Sequence, residues 1–246
     1  MNKVKSTNPQ IKEILSVTNI KNFHNFFVKT SIKKLFKNKK AKITSILALG
    51  ANHVEAETLI KFPFKKIILS GINEPEEKTR GIMKKDKRVS YLKKDIENIN
   101  LPNGSIDFVF VKEALHHVSR PIRGLYEMLR VAKKGVIFIE PMETLLGRVL
   151  DKFGMVSNYE YDSSGKFRDN FVYRWRKKEI IKILNSYYLE SGYEVEFKSC
   201  WMSNRFNNKF PKLVRIFNFL GWTASFIPGC EGNYLMCTIF PGKDLP

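Results

Sequence analysis

Between Lys42 and Pro141, short β-branched runs alternate with helical patterns, and this alternation constrains the fold more than any other feature of the chain. Thr44–Leu49, Lys66–Ser70, Val89–Lys93, Ile106–Val111 and Val136–Ile139 read as strands, with Glu55–Phe62 and Glu76–Lys85 as helices between them. Pro121 sits where a further helix can begin. Ile122, Leu125, Met128 and Leu129 follow at helical spacing, and Gly135 stands as the stop. Repeated βα units predict a parallel sheet with right-handed crossovers. After Pro141 the pattern changes to an aromatic, loop-rich stretch. A helix over Arg176–Leu189 follows, then strands over Tyr193–Cys200 and Asn233–Phe240. The expectation is an α/β fold, a doubly wound sheet whose last strands run antiparallel.

A chain of 246 residues holds one such domain with a small cap. Its 43% hydrophobic and 27% charged residues exclude wholesale disorder. No run approaches the roughly 20 apolar residues of a membrane-spanning helix. Cys200, Cys230 and Cys237 form no CxxC pair, and the opening MNKVKSTNPQ has no apolar core, so the expected location is cytoplasmic. The net charge of +19 first suggests a polyanionic partner. Residues 1–42, however, hold 11 lysines against the single acid Glu13, so more than half of the excess is local.

The block that speaks to function runs from Asp95 to Pro141: DIENINLPNGSIDFVFVKEALHHVSRPIRGLYEMLRVAKKGVIFIEP. An acidic residue, then LP, ID, LHHV and a leucine-rich helix with E-x-x-R-V appear in order and without a gap. The block resembles class I S-adenosylmethionine-dependent methyltransferases, in the broad small-molecule group. That resemblance implies a Rossmann-like, seven-stranded sheet ending in an antiparallel hairpin, with S-adenosyl-L-methionine as cofactor. It also divides the chain into a basic helical arm or cap over 1–41 and a methyltransferase domain over 42–246. Aromatic cap insertions are expected at about 142–175 and 201–232.

The glycine loop departs from the family pattern. Where an acidic residue and G-x-G-x-G are expected, the chain reads Ala48-Leu49-Gly50-Ala51-Asn52-His53-Val54-Glu55. Asn52 replaces a glycine and tolerates positive φ better than most residues, whereas Val54 must take an ordinary conformation. The missing acid removes a contact to the methionine amino group unless Glu55 replaces it. At the end of the second strand the ribose-binding acid aligns with Asn73, with Glu74 and Glu76 close by. The resemblance places Gly50, Ala51, Asn52, Asn73, Asp95, Ile96 and Lys112 at the cofactor. Asp95 ends a strand, where a carboxylate can accept from an exocyclic amine. Asp107 reads as a cap for neighbouring backbone donors.

For the chemistry, His117 and then His116 are the candidate bases, with Glu113 to orient them. No metal is expected, because adjacent residues should point apart and no carboxylate cluster lies nearby. The stretch 159–176 reads as a lid. Tyr161, Tyr173 and Trp175 offer flat faces, and Arg168 and Arg174 suit an anionic group on the acceptor. This stretch resembles the cap of methyltransferases encoded among surface-glycan genes. The expected acceptor is therefore a small molecule, anionic or sugar-like, methylated on a hydroxyl. The apolar spacing of Leu213, Ile216, Phe217, Leu220 and Trp222 suggests a lid wall or the face of a homodimer.

Two other readings compete. A nucleic-acid (RNA) methyltransferase would use the basic arm, with Ile32, Leu35 and Phe36 flanked by lysines. Against it, the chain has no NPPY-like tetrapeptide and no recognisable RNA-binding module. The divergent glycine loop supports the other reading, a non-catalytic partner-binding subunit.

Overall fold

The computed structural model describes residues 2–7, 11–15, 17, 20–36, 43–154, 156, 158–161, 168–201 and 211–242. The strands expected from the alternation form at β2 (Ser45–Leu49), β3 (Lys66–Gly71), β4 (Val89–Lys93), β5 (Ile106–Lys112) and β6 (Ala132–Pro141). They are linked by α3 (His53–Leu59), α4 (Glu77–Lys85) and α5 (Pro121–Val131). The last two strands, β9 (Tyr193–Cys200) and β10 (Tyr234–Pro241), follow α7 (Lys177–Tyr187) and α8 (Pro211–Ala224) respectively.

These strands lie in one sheet of order β1-β9-β10-β6-β5-β2-β3-β4. The block β6-β5-β2-β3-β4 is parallel, while β10 runs antiparallel to both β6 and β9. Strand alternation sends Leu47, Leu49, Val109 and Val111 to one face, where they pack with Leu125 and Met128 of α5 and Leu184 of α7. Ile46, Ala48, Phe108 and Phe110 go to the other face, with Phe27, Val28 and Ile32 of the amino-terminal helix α2 (Ile20–Leu35). Burial on both faces explains why these strands are continuously apolar rather than alternating.

The sheet has eight strands where seven are expected. The extra one is β1 (Lys3–Thr7), drawn from the basic arm and paired in parallel with β9. Lys5 forms an ion pair with Glu194, so part of the arm's charge is met within the fold. Among its described residues, the stretch 1–41 supplies an edge strand and a core helix. An exposed strand edge carrying Lys3 and Lys5 also discourages further strand pairing.

Gly135 is not a helix stop. Helix α5 ends at Val131, and Gly135 lies within β6, where a Cβ would stand 2.4 Å from the Ile239 carbonyl oxygen. Glycine is needed there for strand approach. Asp107 takes its expected capping role at the opposite edge from the crevice. Its Oδ2 accepts from Thr44 N at 2.7 Å, Thr44 Oγ1 at 2.8 Å and Ser45 N at 3.2 Å.

Candidate active site

The order of the parallel strands reverses between β2 and β5, which opens a crevice at their carboxyl ends. Gly50 terminates β2 with φ +60°, and a Cβ on it would lie 2.4 Å from Ala114 Cβ. Both the backbone angle and the close approach require glycine. Ala51 donates its N–H to the Ser70 carbonyl at 3.0 Å and is buried. Asn52 keeps the turn by a different means than positive φ. It is extended at φ −125° and caps α3, with Oδ1 accepting from Val54 N at 2.8 Å. Glu55 completes the capping box by accepting from Asn52 N at 3.1 Å. Val54 is an ordinary helical residue.

Glu55 also reaches the end of β5. Its Oε1 lies 3.7 Å from Lys112 Nζ, and the same ammonium is 2.8 Å from Glu113 Oε2. Lys112 and Glu55 are both buried, so the pair is shielded from water. Tyr234 donates its hydroxyl to Glu113 Oε1 at 2.8 Å, and burial followed by the Glu113 charge pushes that phenol well above its usual range. Glu113 carries φ +48°, a left-handed conformation rare for such a residue and frequent at functional sites. Its carboxylate meets Lys112 and Tyr234.

At the neighbouring strand ends, Asn73 is exposed and its carbonyl accepts from Tyr91 Oη at 2.7 Å. Glu76 sits 3.0 Å from His53 Nδ1, which draws an acid to the glycine loop. Asp95 is exposed, with Oδ1 accepting from Glu97 N at 2.8 Å. The Ile96 side chain is buried in the core beneath α5, close to Gly124, so any contact it makes with a cofactor would come from its backbone.

The histidine pair lies on a single 3-10 turn, Leu115–His117, directly after β5. Glu140 at the end of β6 organises it. Its Oε1 accepts from Ala114 N at 3.0 Å and Leu115 N at 2.8 Å, and its Oε2 meets His116 Nδ1 at 2.5 Å. The rings of His116 and His117 do not point apart: their centroids are 4.4 Å from each other. Glu160 faces both, with Oε1 3.5 Å from His116 Nε2 and Oε2 3.2 Å from His117 Nε2. A carboxylate pair therefore does lie beside the histidines, contrary to the sequence expectation.

The two histidines differ in character. The His116 side chain is 2% exposed and that of His117 is 41% exposed. Burial lowers the His116 value, but the Glu140 and Glu160 carboxylates outweigh it and raise it to about 10. His116 is therefore held as a cation and is a poor base near neutral pH. His117 faces outward and is the more accessible of the two.

Glu160 reaches the pair from a hairpin of β7 (Tyr159–Tyr161) and β8 (Arg168–Phe171), which follows α6 (Leu145–Lys152). Among its described residues, the stretch 142–175 holds a helix and a hairpin. Trp175 does not present a face to a ligand: it is wholly buried against Phe138 and Tyr173. Tyr173 is partly buried and donates to Glu179. Arg174 is partly buried, and its Nη1 donates to Asn158 Oδ1 at 2.7 Å; burial lowers its value. The side chains of Tyr161 and Arg168 lie outside the described residues. Sequence reasoning missed Glu140, Glu160 and Tyr234. Glu140 was visible as a lone acid at the end of an apolar strand, the position from which a carboxylate reaches a crevice.

Residues 70–139 match a family model described as a methyltransferase domain, a span that contains β3 to β6 and the histidine turn. Over that span the chain is similar to a methyltransferase domain, and the strand order around it is that of an open α/β sheet. A search of curated proteins by sequence gave no match. Solved structures share the domain's fold at low identity. A putative methyltransferase from Haloferax volcanii, solved in complex with the Trm112 methyltransferase activator, has a TM-score of 0.56 at 13% identity, covering 96% of this chain and 98% of that one. YcgJ from Bacillus subtilis gives 0.58 at 11% identity, covering 90% and 100%. Magnesium protoporphyrin IX methyltransferase from Synechocystis PCC 6803, with bound SAH, gives 0.54 at 15%, covering 96% and 89%. No described helix is long and apolar enough to cross a membrane.

Proposed function

We propose that the domain transfers a methyl group from S-adenosylmethionine to a hydroxyl of a small acceptor, most simply a sugar or glycan precursor. The observation that carries this reading is His117, outward-facing and 3.2 Å from Glu160 at the carboxyl end of β5. The cofactor-end residues sit on the same crevice. Opposite charges on Glu55 and Lys112 suit the ammonium and carboxylate of an amino-acid moiety. In this reading Asn73 and Glu76 partner the ribose hydroxyls, and exposed Asp95 suits an exocyclic amine. When bound, the cofactor supplies an electrophilic methyl on a sulfonium. The chain's own work is to hold an acceptor oxygen in line and take its proton. His117 takes the proton, and Glu160 stabilises the resulting imidazolium and fixes the ring.

The sugar preference rests on the cap. Tyr159 and Phe171 pack edge to face, and Arg174 lies nearby in sequence, giving apolar and cationic surface around the hairpin. The test is incubation of the full chain with methyl-labelled S-adenosylmethionine and either sugar nucleotides or total RNA. Alkali-stable label in the sugar fraction supports the reading, whereas label in RNA alone contradicts it.

One observation favours a second reading, a partner-binding subunit without turnover. The Lys112 ammonium is already paired with two carboxylates of the chain itself, Glu55 and Glu113. Failure to bind S-adenosylmethionine and S-adenosylhomocysteine, with capture of a protein partner by the full chain, would support it.

A further inference from the structure

We propose that His116, His117 and Glu160 form a binding site for one divalent transition-metal ion, of which zinc is the representative. The inference stands on side-chain geometry; an ion held by His117 and Glu160 would occupy the side chains that the methyl-transfer reading uses for proton transfer, so the two are tested separately.

The His116 and His117 ring nitrogens and the Glu160 carboxylate offer ligand atoms that all lie within 4.8 Å of one another. Around an ion with metal–ligand bonds of about 2.0–2.2 Å, tetrahedral geometry puts neighbouring ligand atoms roughly 3.3 Å apart. Glu160 stands at 3.2 Å from His117 Nε2 and 3.5 Å from His116 Nε2. Little movement is required to admit an ion between them.

The surroundings are those a ligating histidine needs. A metal-bound imidazole commonly gives its other N–H to a carboxylate, which fixes the ring and raises its basicity. Here Glu140, fully buried, holds His116 Nδ1 at 2.5 Å and so directs Nε2 toward Glu160. Glu140 is itself fixed by two backbone N–H groups, so the ring cannot turn away freely.

Charge points the same way. Two carboxylates, Glu140 and Glu160, face the pair. A divalent ion between neutral imidazoles balances those two negative charges. Two imidazoles and one carboxylate favour zinc, iron(II), cobalt(II) or manganese(II) over magnesium or calcium, which prefer oxygen donors. Three protein ligands leave at least one position open. His117 and Glu160 are each 41% exposed, so that position can take an oxygen from solvent or from a hydroxyl-bearing ligand.

The experiment is equilibrium dialysis of the untagged full chain against Zn2+, with metal analysis, and visible spectroscopy on the same chain with Co2+. One ion per chain is expected. His117→Ala and Glu160→Gln should each weaken binding at least tenfold, and Glu140→Gln roughly 10- to 100-fold. Far-UV circular dichroism checks that the variants remain folded. Absence of stoichiometric Zn2+, or one ion retained at equal affinity in both His117→Ala and Glu160→Gln, overturns the proposal. If the variants unfold, the Co2+ spectrum decides. Ligand-field bands without a thiolate charge-transfer band support the nitrogen–oxygen site, and a thiolate band or no spectrum overturns it. Binding of S-adenosylmethionine is measured separately in chelator, so failure of either reading leaves the other legible.

Discussion

Glu140 Oε2 lies 2.5 Å from His116 Nδ1, and the other oxygen of the same carboxylate holds the backbone N–H groups of Ala114 and Leu115. One buried side chain thus fixes both the 3-10 turn and the orientation of the histidine on it. Removing it strands a buried cation and two amide donors. Glu140→Ala is expected to destabilise the fold by roughly 3–5 kcal/mol, the scale for breaking a buried pair from one side. Urea unfolding of the two proteins measures the difference. A loss below about 1 kcal/mol would show that the pair is not formed.

Gly50 is required by backbone angle and by contact. Gly50→Ala puts a Cβ at φ +60° and 2.4 Å from Ala114 Cβ. The left-handed conformation alone costs about 1–3 kcal/mol. Thermal unfolding should shift down by several degrees, and S-adenosylmethionine affinity should fall with it. An unchanged melting temperature would mean that the loop takes a different course.

Asp107 gives the fold a defined acid sensitivity. Burial raises its carboxyl, but Lys134 and the Thr44 and Ser45 donors outweigh that and hold it below its ordinary 3.8. A depressed native value means that the stabilisation is present above the unfolded value and is lost as pH falls through the native one. Stability should therefore drop as pH is taken below about 4, and Asp107→Asn should flatten part of that drop. Urea midpoints collected against pH test this; equal acid limbs in both proteins would contradict it.

His117 is assigned the proton transfer. His117→Ala should lower turnover roughly 10²- to 10⁴-fold, the usual contribution of a positioned base. Affinity for S-adenosylmethionine should stay within a factor of two or three, because the cofactor-end residues are elsewhere in the crevice. Loss of cofactor binding with the turnover would instead make His117 part of the cofactor site.

The β2–β6 frame was legible because a doubly buried parallel sheet is written as apolar runs of fixed length, and Thr44–Leu49 and Ile106–Val111 leave little choice. The edge strand Lys3–Thr7 was not legible. It is polar and fully exposed, and only its pairing with β9 makes it a strand. At the site, the histidine pair was found from its motif, but its partners were not. Glu113 is next in sequence, yet its left-handed backbone turns it toward Lys112 and Tyr234. Glu140 and Glu160 approach from 24 and 44 positions along the chain, through strand order and a hairpin that no local pattern encodes. Trp175 shows the reverse error. An aromatic residue in a lid-like stretch reads as a ligand platform, and here it fills the core.

The central claim is that the crevice between β2 and β5 binds S-adenosylmethionine despite its altered glycine loop, with Glu55 and Lys112 in place of the absent strand-end acid. Isothermal titration of the full chain with S-adenosylmethionine and S-adenosylhomocysteine tests it most directly. Saturable binding of one ligand per chain is predicted, weakened at least tenfold in Glu55→Gln and in Asp95→Ala. No heat at millimolar ligand, or binding indifferent to both substitutions, would contradict the account.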